Sequence, residues 1–473
     1  MTRSVLVLLA VIIINYSAYS VPQEPEGCNI FFDFEPAGNS FISLAYHLGD
    51  KQYIKDTLYT DQDGKARLKR SEALDRGLYM VVFPDNNLFE MIIADDQQFT
   101  VSCNRDDIIN TLRFEGSEEN TAFIEYRKRW RSFQERSGEY RQRISSLSNP
   151  DSVNILQSDL KDMEEEILDY IRTTASNHEG TLLSAMLKSM LPVRVPDFDI
   201  PDNVSNRDSV QWIRGYLYNK DHFFDNVDLG EPGLIHTPIL HNKLKTFFSD
   251  VIIQAPDSVI REIRTVMDKA GEDPEVFRFT LSFLFNHFRG SQVMGHDAII
   301  VMLADEYYLN GKAEWAEEEF LENLRKDLAG IRHTLIGKQA KDLVMQTYSG
   351  QPRSVYDIDS EFTVLYFWEP DCGHCNEATP LLREFYNEYK DNGVEIYAVC
   401  TQGSKEEWMD YIAENGLEWI NGWDPTRSTS FDYYYNVKAT PLIYVLNKDK
   451  EIIAKNLPAG NLKQFIDNYR RMH

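Results

Sequence analysis

The stretch from Phe362 to Cys375 constrains the fold most. An apolar run, Phe362 to Phe367, meets Trp368-Glu369-Pro370-Asp371, and Cys372-Gly373-His374-Cys375 then opens a helical pattern. A short apolar run bounded by a turn reads as a strand buried on both faces of a sheet. Two cysteines three residues apart on the first turn of the next helix make a redox pair. The helix N-terminus offers unpaired N–H groups and the positive end of the dipole, which favours the Cys372 thiolate. Cys375, one turn inward, is placed to resolve a mixed disulfide.

Strand and helix keep alternating to the C-terminus. Glu377 to Lys390 patterns as a helix and Val394 to Cys400 as a second buried strand, and Ser404 with Glu407 forms a capping box for a helix ending at Gly416. A short strand near Trp419, a turn at Asp424-Pro425 and a short helix carrying Tyr433 to Tyr435 follow. Leu442 to Leu446 and Glu451 to Ala454 form a hairpin, and Leu462 to Tyr469 closes as a helix. Residues 335–473 are therefore expected to form an α/β domain with a mixed, helix-flanked sheet.

At 473 residues the chain exceeds a single core and predicts a multidomain protein. Residues 27–115 carry short strands at Ile30–Phe34, Phe41–Tyr46, Tyr53–Tyr59, Leu78–Phe83, Phe89–Ile93 and Phe99–Cys103, divided by turn residues. An all-β, sandwich-like domain is expected there. Near Gly116 the period changes: Phe123, Tyr126, Trp130 and Phe133 make an apolar stripe at helical spacing. Residues 117–332 are expected to be all-α, including a helix capped by Asp273 with Pro274 at its first position, and helices over Ala298–Leu309 and Ala313–Leu328. Pro192, Pro196 and Pro201 mark a loop, a candidate linker between helical subdomains. His222, His236, His241 and His287 lack ligand spacing, so no metal is expected.

A net charge of −26 argues against nucleic acid or an anionic membrane surface as the main partner. Residues 1–20 match an export signal, with Arg3, an apolar core from Val5 to Ile14 and the small-x-small site Ala18-Tyr19-Ser20. That core is shorter than the ~20 residues needed to span a bilayer, and no later stretch reaches that length. The expected location is the periplasm or cell envelope, with no transmembrane segment in the mature chain. Pro25-Glu26-Gly27 lacks the apolar residue of a lipidation site, so anchoring through Cys28 is not expected. Of the five cysteines, Cys28 and Cys103 flank one region and remain candidates for a structural pair. Cys400 ends a buried strand and is expected to be an inert thiol.

The neighbours of the cysteine pair separate its possible chemistries. Zinc would need a second ligand pair, which is absent. Covalent haem needs His directly after the second Cys, where Asn376 stands. A peroxiredoxin-type peroxidase uses Thr three residues before its nucleophilic Cys, and Glu369 occupies that place. A disulfide oxidoreductase fits what remains.

Phe367-Trp368 before Cys372-Gly373-His374-Cys375, Pro380 in the following helix, Thr440-Pro441 opening the next long strand and the hairpin-helix ending resemble the thioredoxin fold. The long interval from Cys375 to Pro441 resembles the exported TlpA/ResA-like branch. The upstream regions resemble secreted Bacteroidota proteins in which a β domain and a helical domain of unknown function precede the thioredoxin domain. The resemblance implies that Cys372 attacks, Cys375 resolves and no cofactor is needed beyond the Cys372–Cys375 disulfide. It also implies a cis peptide at Thr440-Pro441 whose Thr440 backbone pairs with an extended client segment, beside Trp368. Implied partners are protein thiol or disulfide clients and a membrane or periplasmic thiol donor. Gly373 and His374 would tune the couple, His374 by adding positive charge.

Two departures bear on this expectation. Tyr366 stands where thioredoxin has a buried Asp, and Asn376 where the TlpA/ResA branch has a carboxylate, so the usual proton acceptor for Cys375 is missing. Asp371 precedes the first Cys, and its charge opposes the thiolate that His374 favours. The expected activity is thiol-disulfide exchange on protein substrates, reductive rather than oxidative. The alternative is a cell-envelope binding module with a redox-sensing or vestigial thioredoxin domain.

Overall fold

In the computed structural model, which describes residues 27–472, alternation of side chains along the first strands turns one face of each toward a shared core. The export signal expected at residues 1–20 lies outside the described residues. Strands β1 (Asn29–Glu35), β2 (Ser40–Leu48), β3 (Lys51–Thr60), β4 (Lys65–Lys69), β5 (Gly77–Val82), β6 (Leu88–Ile93), β7 (Gln98–Asn104) and β8 (Arg113–Glu115) form two four-stranded sheets, ordered β4-β1-β7-β8 and β3-β2-β5-β6. Ile30, Phe32 and Phe34 of one sheet meet Leu44, Val81 and Met91 of the other in one cluster, so the β region is a sandwich. β4 and β8 fall outside the predicted strands because each is short and rich in charged residues.

The register separates Cys28 from Cys103. β1 and β7 run parallel with Phe34 opposite Cys103, and Cys28 lies six residues before Phe34. At ~3.3 Å per residue that is about 20 Å along the strand, far beyond the ~7 Å reach of a disulfide. Both are buried free thiols.

The helix Glu118–Ser146 is tied to the sandwich by Asn120, whose side chain accepts the Ile92 N–H at 2.7 Å and donates to the Ile92 carbonyl at 2.8 Å. That amide covers backbone groups on the outer edge of β6, which would otherwise stay unpaired. The helices Pro150–Asn177, Leu182–Met190, Arg207–Asp221 and Pro238–Thr246 follow. The chain divides into two compact units between Lys243 and Leu244, not in the proline loop offered as a linker. That loop is held down: Ile200 is buried, and Arg214 donates to the Asp199 carbonyl at 3.0 Å.

The second unit opens with the helices Pro256–Ala270, Pro274–Arg289, Asp297–Leu303 and Glu318–Ile331. Asp273 caps the second of these by accepting the N–H groups of Glu275 and Val276 at 2.8 and 3.0 Å, which satisfies donors the helix cannot. The expected helix over Ala298–Leu309 instead widens to a π turn at Ala304–Tyr308. The helix expected from Ala313 starts only at Glu318, because the Ala313 N–H turns back to the Tyr307 carbonyl at 3.2 Å.

Strands β9 (Val344–Thr347), β10 (Pro352–Ser354), β11 (Phe362–Trp368), β12 (Val394–Cys400), β13 (Ile420–Trp423), β14 (Leu442–Leu446) and β15 (Ile452–Lys455) form one sheet, ordered β10-β9-β13-β12-β11-β14-β15. β11 lies inside it, parallel to β12 and antiparallel to β14. Every residue of β11 is buried, and the two-residue period splits them. Phe362, Val364, Tyr366 and Trp368 face the helices Gly373–Tyr389 and Leu462–Met472, while Leu365 and Phe367 face Phe431 and Tyr435. Lys455 of β15 reaches into the preceding helical segment, with Nζ 2.5 Å from Asp297 and 2.9 Å from the Thr334 hydroxyl.

Each of the four histidines has a partner of its own. His222 pairs with Asp225, His236 with the His47 carbonyl and His241 with Asp50, and the His287 ring stacks on Phe283. Among the described residues no group of three His, Cys, Asp or Glu side chains is arranged to hold a metal, and no helix is long and apolar enough to cross a membrane.

Candidate redox site

β11 delivers the chain to the site and the helix Gly373–Tyr389 carries it away. At the strand's end the Trp368 carbonyl accepts the Thr401 N–H at 2.8 Å, which fixes where the Glu369-Pro370-Asp371 turn begins. Cys372 then takes the N-cap position in extended geometry (φ −82°, ψ 113°), and its Sγ accepts the Cys375 N–H at 3.1 Å. The Cys372 sulfur thus does the work of a helix cap.

Cys372 is half-buried and Cys375 fully buried. Partial burial pulls the Cys372 thiol up, but hydrogen bonds from Cys375 and Thr440 outweigh it and hold Cys372 below the ordinary thiol value. The Glu369 charge works against that lowering. Cys375 is pushed up to about 12, first by burial and then by its hydrogen bond to Cys372. One thiol of the pair is prepared to ionise and the other to stay protonated.

The Thr440-Pro441 peptide is cis. The Cys372 thiol donates to the Thr440 carbonyl at 3.5 Å, and the Thr440 hydroxyl donates to Glu369 Oε1 at 3.0 Å. Cys372, Cys375, Thr440, Pro441 and Glu369 therefore share one place, and a cleft of about 160 Å³ opens beside it between Thr440, Gln402, Arg427 and Lys438. Arg427 of that cleft lies in a loop folded onto Asp424, whose carboxylate accepts five hydrogen bonds from Thr426, Ser428 and Thr429.

The remaining expected residues lie elsewhere. His374 is 84% exposed, with Nδ1 3.7 Å from Glu377, so it points to solvent. Asp371 is exposed, and Glu369 is the acid whose charge reaches Cys372. A side chain at Gly373 would meet nothing within 4 Å. Trp368, expected beside the substrate, is fully buried and packs against Tyr366 and Tyr411. It forms the floor under the cysteines and offers no surface to a client.

Behind Cys375 stands a group of hydroxyls. Tyr366 Oη lies 3.4 Å from the Cys375 carbonyl and 3.2 Å from Thr379 Oγ1, and Tyr411 Oη lies 3.2 Å from the same Thr379 oxygen and 2.8 Å from Asn376 Oδ1. Glu369, Thr379 and Tyr411 escape a reading of the motif alone. Their one sequence signal is polarity at positions on otherwise apolar faces, Thr379 beside Ala378 and Tyr411 beside Trp408 and Ile412.

Residues 336–455 match the family described as AhpC/TSA. Over 120 residues the chain is 26% identical to a thiol-disulfide oxidoreductase ResA from Bacillus cereus, covering 25% of this chain and 68% of that protein. A thioredoxin-like protein from Haemophilus influenzae is 25% identical over 122 residues, covering 25% and 70%. Among solved structures, a domain of a possible thiol-disulfide isomerase from Cytophaga hutchinsonii is 36% identical over 29% of this chain and 95% of that one, with a TM-score of 0.28. A thioredoxin-like protein from Bacteroides caccae is 21% identical over 60% and 99%, with a TM-score of 0.45.

Proposed function

We propose, from the premise that residues 336–455 form a thioredoxin-like domain of the AhpC/TSA family, that this chain is an exported thiol-disulfide oxidoreductase acting on protein disulfides. One observation carries the reading: Cys372 Sγ is the helix cap, 3.1 Å from the Cys375 N–H and 3.5 Å from the carbonyl of Thr440. Cys372 attacks a client disulfide and forms a mixed disulfide. Cys375 then attacks Cys372 Sγ, closing the Cys372–Cys375 disulfide and releasing the reduced client. Thr440 holds the client segment through its backbone.

The reductive direction is favoured because Glu369, placed against Thr440, resists charge on Cys372, and His374 is turned to solvent. Less thiolate stabilisation makes the reduced pair a better electron donor. A membrane or periplasmic thiol donor would regenerate it.

Reduction of insulin disulfides tests the activity. Cys372→Ser is expected to bring it to background, and retention of the rate would sink the proposal. A reduction potential near about −270 mV agrees with a reductase, whereas one near about −120 mV reverses the direction. Cys375→Ser is expected to trap several clients through Cys372. Capture of one partner that persists when both cysteines are changed would favour a binding module.

A further inference from the structure

We propose that the open edge of β6 at Leu88 to Glu90, with the groove beside it, docks an extended acidic segment of a partner polypeptide as an added strand. β6 ends its sheet, with β5 as its ladder partner. In their hairpin the Phe83 N–H donates to the Asn87 carbonyl at 2.9 Å, and the alternation of an antiparallel ladder then turns the N–H and carbonyl of Leu88, Glu90 and Ile92 outward. Asn120 fits that parity, since it takes both groups of Ile92. Among the described residues no hydrogen bond reaches the outward groups of Leu88 or Glu90. Their N–H donors and carbonyls, along about 7 Å of edge at ~3.4 Å per residue, are open to a new strand.

The helix Glu118–Ser146 runs beside that edge without filling the space. Asn120 meets Ile92, Arg127 meets Glu90 at 2.7 Å, and a groove of about 400 Å³ remains between Leu88, the short helix Ile108–Thr111 and the longer helix. Its wall is apolar at Leu88, Ile109, Ile124 and Trp130, and Leu88 and Ile109 are half-exposed. Main-chain groups along an edge, with side-chain sites beside them, are what an added strand recognises.

Charge selects the occupant. Arg127, Lys128 and Arg131 line the groove, and among the described residues Glu90 is the carboxylate that faces them there, on a chain whose net charge is −26. Lys128 and Arg131 pair with the exposed Glu125 and Glu135 on their own helix, where such pairs are weak, so both cations are open to a partner carboxylate. A segment alternating apolar residues with Asp or Glu sets the first along the apolar wall and the second on the cations, because successive side chains of a strand point to opposite faces. Two copies pairing edge to edge would instead bring both sets of cations together, which opposes a second copy as the occupant.

The probe is a short fluorescent peptide alternating valine with glutamate, titrated with the full chain and read by fluorescence anisotropy. Saturable binding is expected, weakened by added salt, and the same peptide with lysine in place of glutamate is expected to bind at least about tenfold more weakly. Leu88→Pro removes one outward N–H while leaving the ladder to β5 in place, and is expected to weaken the acidic peptide about tenfold. Lys128→Glu combined with Arg131→Glu is expected to weaken it about tenfold as well, and this pair carries the test if Leu88→Pro does not fold. No binding of the acidic peptide, equal binding of the basic one, or native affinity in the folded variants would overturn the proposal. So would a concentration-dependent dimer in sedimentation that Leu88→Pro dissolves, since the edge would then belong to a second copy.

Discussion

Cys28 and Cys103, buried in the sandwich, and Cys372, half-buried beside β11, show the same side chain with opposite results. Burial pushes Cys28 up to about 11 and Cys103 up to about 12, opposed by Arg70 and Arg105 respectively. Cys375 behaves as they do. Cys372 alone is held down, and it differs in being only half-buried and in receiving the Cys375 N–H at a helix N-terminus. Burial by itself silences a thiol. Donors aimed at the sulfur make it reactive.

The largest effect tests that contrast directly. Iodoacetamide at neutral pH is expected to label Cys372 in the native chain and to label Cys28 and Cys103 at least about 10³-fold more slowly, since they react only through opening of the sandwich. Mass spectrometry of the labelled peptides gives the rates, and equal labelling of Cys103 and Cys372 would break the comparison. The next effect concerns packing. Cys103→Ala is expected to cost about 1 kcal/mol of sandwich stability through a small cavity, read as a lower denaturant midpoint, with insulin reduction unchanged. The smallest effect refines the Cys372 side. Glu369→Gln removes the charge that disfavours the thiolate, so the alkylation pH midpoint should fall further and the neutral-pH rate rise about threefold. An upward shift would mean that Glu369 acts through Thr440 rather than through its charge.

Local features are legible in the sequence. The Ser404 and Glu407 capping box and the left-handed Gly416 close the helix Lys405–Asn415 where the chain itself dictates. The apolar run gave β11 because a strand buried on both faces needs no alternation. Features set by distant residues were not legible. β9 and β10 are short and gain their order from pairing, β9 with β13 and β10 with β9, and Glu369 meets Thr440 only because β14 lies beside β11. Trp368 illustrates the limit well: it stands four residues before Cys372 in sequence, yet the period of the strand turns it inward.

Lys455 has a consequence for how this redox unit can be transplanted. Its side chain is 8% exposed and depends for its countercharge on Asp297, which precedes the thioredoxin-like segment in sequence. A graft beginning at residue 335 would carry an ammonium group on β15 without its carboxylate, and leave behind the Thr334 hydroxyl as well. An uncompensated buried charge destabilises far more than the intact pair contributes. The cassette that moves intact therefore includes its helical mount, and a graft begun at residue 335 would need Lys455 replaced by a neutral side chain.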